Sequence, residues 1–176
     1  MLGMYGRRVI RINQLLIGYE MKYKSKEKKK EDMKRGRKAE KEYADMYNEC
    51  PATEVATSTE GEDINEHWDV EINGVKIDVK SIKREDENIH FVEFKNVLGE
   101  KGWLYGEADG FAFETKDYWV EVKKEDLQNW VHEKCIDKVK GWDCYELATR
   151  PGAKDLFTKV PTLDLCYIGK IKNKKC

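Results

Sequence analysis

Asp69, Asp78 and Lys80 are the residues whose types and spacing most plainly invite chemistry. They fall in residues 67–83, "HWDVEINGVKIDVKSIK", two apolar-polar alternating runs hinged on Asn73-Gly74. Asn-Gly between such runs predicts a hairpin, because a type I′ turn needs positive φ at both central positions. The hairpin sets Ile72 opposite Val75, Val70 opposite Ile77 and Trp68 opposite Val79 on one apolar face. On the other face Glu71 meets Lys76, Asp69 meets Asp78, and His67 meets Lys80. Opposed like charges, with Cβ atoms about 5 Å apart, destabilise a hairpin by some tenths of a kcal/mol. One local conflict in an otherwise consistent hairpin marks a functional candidate; the plainer reading is a wet sheet face on which twist splays Asp69 away. A hard divalent cation turns the repulsion into coordination. Two carboxylates with an ammonium on the same face suit phosphodiester hydrolysis: the ion lowers the pKa of a bound water, and the lysine steers that water and supports developing charge.

Several elements must position that hairpin. Residues 35–48 predict a helix, with Ala39, Tyr43, Met46 and Tyr47 on one face. Pro51 and "TSTEGED" break the pattern. Strands are expected at 68–72, 75–80, 89–95, 110–114 and 118–123, with the Gly-rich link "LGEKGWLYGEADG" before the last two. Residues 124–134, "KEDLQNWVHEK", predict a helix with acids in its first turn. The tail "CYELATRPGAKDLFTKVPTLDLCYIGKI" mixes short strands and turns, and no internal repeat is visible. The expectation is one α/β domain over residues 35–176, preceded by a basic N-terminal extension, residues 1–34, with little order beyond local helix.

Bulk properties agree with this scale. A chain of 176 residues that is 40% hydrophobic and 38% charged suits one domain with a polar surface. No apolar run approaches the roughly 18 residues of a membrane span. Arg11 interrupts the apolar stretch near the N-terminus and no small-residue cleavage site follows, so no signal peptide is read and a cytoplasmic location is expected. The five cysteines are scattered, without a CxxC pair, which fits free thiols in a reducing compartment. Charge is uneven: residues 1–41 carry 14 Lys and Arg against 5 Asp and Glu, a net of +9, and the remainder carries a net of −10. The run at 22–41 reads either as a solvated helix or as an arm tracking phosphates. In the second reading Lys34, Arg35, Arg37 and Lys38 grip nucleic acid, joined by Lys83 and by Arg150 in its turn.

Trp68-Asp69 followed by "IDVKS" at residues 77–81 resembles the PD-(D/E)XK nuclease superfamily, with Trp where Pro is usual. The resemblance covers roughly residues 36–134. It implies a restriction-endonuclease-like αβββαβ core, a mixed central sheet flanked by helices, with the signature acids on adjacent strands. Resolvase-like members add a helix glutamate in a Gly-x-x-x-Glu pattern, matched by "GRKAE" at 36–40, which nominates Glu40; Glu42, slightly farther from the apolar face, is its rival. The implied activity is a metal-dependent DNA endonuclease. Asp69, Asp78, the Val79 carbonyl and Glu40 would hold Mg²⁺ or Mn²⁺, and Lys80 would position the attacking water. Branched or structured DNA is the implied specialisation, and symmetric junction cutting calls for a homodimer. "GWLYGEADGFAFE" is similar to a segment of small phage-type members. Within it Asp109 either orients Lys80 or caps a turn, and Trp103 and Tyr105 either stack on an unpaired base or enter the core. His67 is either a contact to phosphate or metal-bound water, or a strand-end residue, and Ser81 points away from the Asp78–Lys80 face. The competing expectation is a nuclease-like fold that binds nucleic acid or protein without turnover. The acidic net charge after residue 41 favours that alternative and the opposed carboxylates oppose it.

Overall fold

A computed structural model describes residues 5–82, 88–135 and 140–174, with side chains from residue 26 onward. Helix α1 (Tyr5–Asn48) is 44 residues long, far more than the local helix expected of the extension. The chain divides into two compact units, residues 1–37 and 38–176, so the division falls within α1, close to the expected boundary after residue 34. In the first unit Lys34 and Arg37 are exposed, and Arg35 pairs with Asp32 at 2.8 Å.

The second unit continues through β1 (Val55–Thr57), α2 (Glu60–Glu66), β2 (Val70–Ile72), β3 (Val75–Lys80) and β4 (Ile89–Lys95). A 3-10 turn (Trp103–Tyr105), β5 (Gly110–Glu114), β6 (Tyr118–Lys123), α3 (Lys124–Lys134), β7 (Leu156–Pro161), α4 (Thr162–Ile168) and β8 (Lys170–Asn173) complete it. A six-stranded sheet runs in the order β1-β2-β3-β5-β6-β8, and β4 pairs with β7 in a separate two-stranded sheet. Only β3–β5 is parallel, so the main sheet is mixed. The crossover from β3 to β5 is made by β4 and the 3-10 turn, and α3 follows β6. The helix that an αβββαβ core puts between its third and fourth strands therefore lies one hairpin later.

Strand alternation places the core on both faces of the main sheet. On one face Ala39, Tyr43, Ala44 and Met46 of α1 cover Val70, Val79, Ala112 and Trp119. On the other, Phe111, Phe113, Val120 and Val122 pack with Val92 and Phe94 of β4, Leu127 and Val131 of α3, and Leu165 of α4. Among the described residues no helix is long and apolar enough to cross a membrane. Cys50, Cys135, Cys144 and Cys166, among the described residues, are free thiols.

Candidate active site

The Asn73-Gly74 turn forms with φ of 49° and 82°, the positive values its type requires. The register is the expected one for Ile72–Val75, Glu71–Lys76 and Val70–Ile77. It ends there. The Asp69 N–H donates to the Ile77 carbonyl at 2.9 Å, so residues 69 and 70 share one partner residue in the manner of a bulge. The pairs Trp68–Val79, Asp69–Asp78 and His67–Lys80 consequently do not form as a ladder. The strand expected from residue 68 starts at Val70. His67 instead closes α2 in a left-handed conformation, φ 58° and ψ 58°, packed so tightly on Gly106 that a Cβ there would lie 2.6 Å from the His67 Cβ. His67 is therefore a helix cap and not the partner of Lys80.

Although the strands splay, the acids stay together. Asp69 fills the gap in the ladder: its Oδ2 accepts the Val79 N–H at 2.7 Å, taking the place of a backbone carbonyl. Asp78 is 3% exposed, and its Oδ1 pairs with Lys80 Nζ at 2.6 Å. Its Oδ2 is buried and has no hydrogen-bond partner. The Lys80 ammonium also lies 4.4 Å from the centre of the Trp103 ring. Burial first, then the Asp78 charge, push the Asp69 carboxyl up to about 8, against the pull of Lys80 and the Val79 N–H; Glu40 adds to the upward push. Asp69 thus feels Asp78, Lys80 and Glu40 together. Of the two helix glutamates, Glu40 is half-buried and its charge reaches Asp69, whereas Glu42 is exposed and pairs with Lys38 at 3.4 Å.

No family model matches the chain, no curated protein is similar to it, and no solved structure matches it. The site therefore stands on its own geometry.

Other sequence candidates fall elsewhere. Asp109 Oδ2 accepts the Lys76 N–H at 2.9 Å, and its own N–H donates to the Lys76 carbonyl at 2.7 Å. It pins β5 to the start of β3, roughly 13 Å along the strand from Lys80, and so does not orient that lysine. It lines a pocket of about 410 Å³ at that remote end. Tyr105 bonds His132 at 3.1 Å, while Ser81 is half-buried just past β3. Lys83 lies outside the described residues.

Two acids escaped the sequence reading. Glu93 on β4 is half-buried; burial raises its pKa, Lys80 and Arg150 lower it, and Asp155 and Asp78 raise it. It therefore lies within electrostatic reach of the Asp78–Lys80 pair. Asp155, 1% exposed, is spent on Arg150: its Oδ1 accepts the Arg150 N–H at 3.0 Å and its Oδ2 accepts the Nε. Burial disfavours the Asp155 charge, yet the Arg150 bonds hold its pKa below the usual carboxylate range. Arg150 remains 54% exposed, with its terminal nitrogens available beyond the anchored Nε. Nothing in the alternating pattern of 89–95 distinguishes Glu93 from a surface acid, because its neighbours come from distant segments.

Proposed function

We propose that the second unit is a metal-dependent nuclease of the PD-(D/E)XK kind, hydrolysing phosphodiester bonds in DNA. The observation that carries this reading is the buried Asp78 oxygen without a partner, beside a second buried carboxylate that accepts the Val79 N–H and an ammonium held on the same strand. An unsatisfied carboxylate oxygen is costly to bury, and a cation is the natural way to satisfy it. Among the described residues no group of three or more His, Cys, Asp or Glu side chains is arranged to hold a metal ion. The donor set nevertheless fits Mg²⁺ or Mn²⁺, which commonly take one or two carboxylates from a protein and keep several waters. Asp69 and Asp78 would hold the ion with the Val79 carbonyl, and Glu40, whose charge reaches Asp69, would contact it through a retained water. When bound, it supplies a water of lowered pKa and offsets phosphate charge.

The chain's own groups do the rest. Lys80, held by Asp78 and the Trp103 face, presents an ammonium to an attacking water and to the charge developing on phosphorus oxygens. Arg150, braced by Asp155, offers two nitrogens to a phosphate. Lys34, Arg35, Arg37 and Lys38 add nonspecific grip. The competing reading, binding without turnover, is favoured by the missing three-ligand group and by the acidic net charge after residue 41.

The deciding experiment is cleavage of plasmid, single-stranded and four-way-junction DNA with Mg²⁺, Mn²⁺ or EDTA. Cation-dependent cutting supports the nuclease; binding without cutting on every substrate supports the alternative. Junctions cut in preference to linear duplex, by a dimer, would support the branched-DNA specialisation.

Two further results are expected in the same assay. Glu40→Gln lowers turnover about tenfold or more, and Glu42→Gln leaves it within twofold; equal losses would remove Glu40 from the site. Trp103→Leu takes away the ring beneath Lys80, a contact of about 1–2 kcal/mol, and is expected to lower kcat several-fold at nearly constant KM. Trp103→Phe, which keeps an aromatic face, should recover most of that loss. If Phe and Leu behave alike, the ring matters for packing only.

A further inference from the structure

The outer face of the β4–β7 sheet carries an aromatic cluster that neither hydrophobic core absorbs. Directly opposed antiparallel residues share a face, so the Phe91–Lys159 and Glu93–Phe157 pairs put these four residues on one surface. His90, Val92 and Val160 alternate inward and are buried. Phe157 packs against both Phe91 and Trp142, edge-on at 5.6 Å in each case. Phe91 is 36% exposed and Trp142 is 52% exposed. Lys159 Nζ donates to the Trp142 carbonyl at 2.6 Å and lies 5.9 Å from the centre of its ring. Two part-exposed rings, packed on a third that is buried and flanked by an ammonium, form a shelf.

Glu93 links this shelf electrostatically to the candidate active site. Glu93, on the same face as Phe91, lies within the fields of Lys80, Asp78 and Arg150. Arg150 borders the shelf, because Ala148, two residues before it, bridges Phe157. Cations alternating with aromatic faces match a strand of phosphates with its bases unpaired, since stacking needs a π-face that a duplex keeps inside its stack. An apolar protein partner would use the rings but has no call on the lysine and arginine.

We propose that the outer β4–β7 face is a stacking platform for unpaired nucleobases, with Phe91 and Trp142 as its rings and Arg150 and Lys159 as its phosphate contacts. The proposal rests on the nuclease reading for its placement and narrows the substrate to DNA with a single-stranded segment beside the cut.

The test uses the full chain with Ca²⁺ in place of Mg²⁺ and a fluorescein-labelled dT20 oligonucleotide beside a 20-base-pair duplex. Phe91→Ala and Trp142→Ala are each expected to weaken dT20 binding about tenfold, with duplex binding unchanged within twofold. Trp142→Phe and Phe91→Tyr, which keep a ring and guard against misfolding, are expected to bind dT20 nearly as well as wild type. Unchanged dT20 affinity in the alanine variants overturns the proposal, as does an equal loss on duplex. A change from dimer to monomer in sedimentation, with dT20 affinity intact, also overturns it and assigns the shelf to a second copy of the chain. Cleavage by wild type separates the two readings. Cutting with a silent platform leaves the nuclease and removes the shelf, and ring-dependent dT20 binding without cutting does the reverse.

Discussion

Asp78→Asn is expected to lower cleavage about a thousandfold and, in the same protein, to abolish stabilisation by divalent cations. The two effects share one cause. Asp78 supplies the only buried side-chain carboxylate oxygen without a hydrogen-bond partner among the described residues, and the amide keeps its shape while removing the charge. A ligand at a hundred times its dissociation constant stabilises a fold by about 2.7 kcal/mol, roughly 5–10 °C of melting temperature for a chain of this size. Wild type should show a shift of that order in 10 mM Mg²⁺ or Mn²⁺ against EDTA, and Asp78→Asn none. Lys80→Ala separates the roles: turnover falls by a similar factor while the cation shift persists or grows, because the ammonium no longer competes for Asp78. If Asp78→Asn keeps the full cation shift, the ion binds elsewhere and the nuclease reading fails.

The second large effect concerns Asp69 and pH. An Asp in an unfolded chain releases its proton near 4, but burial and the neighbouring Asp78 push the folded group up to about 8. Between those values the folded protein holds a proton that the unfolded chain has lost. Stability therefore falls as pH rises through that window, by at most about 1.4 kcal/mol per pH unit. The contribution is fully present below pH 4 and gone above pH 8. Asp69→Asn keeps an oxygen to accept the Val79 N–H and has nothing to ionise. Urea unfolding without cations should show the variant gaining on wild type steadily from pH 4 to pH 8, to a difference of several kcal/mol. Parallel curves would mean that Asp69 titrates normally. The linkage also requires Mg²⁺ affinity of wild type to rise with pH up to about 8, as the ion displaces the proton.

The hairpin was legible because Asn-Gly chemistry fixes register locally, and each pair from the turn to Val70–Ile77 follows from it. The bulge was not, because its cause is a side chain replacing a main-chain acceptor, which alternation does not encode. Glu40 was separable from Glu42 only weakly on a helical wheel; packing of Tyr43 and Ala39 against the sheet settles which one turns inward. α2 has a readable start in Thr59 and Glu62, whose reciprocal capping box is formed, although the turn-forming residues around it conceal the helix. α4 offered no such signal: Leu163 and Tyr167 are 79% and 80% exposed, so its apolar residues mark no single buried face. Glu93 and Asp155 acquire their neighbours only when β4 and β7 lie over the main sheet, a relation between distant segments.

Val79 faces the α1 side of the main sheet and Asp78 the opposite side, while Glu40 comes from α1 itself. An ion bound by Asp78 and reached by Glu40 would staple α1 to β3 at the splayed end of the β2–β3 ladder. Loading it should slow amide exchange in α1 beyond residue 38 and in β3 together, from a single point.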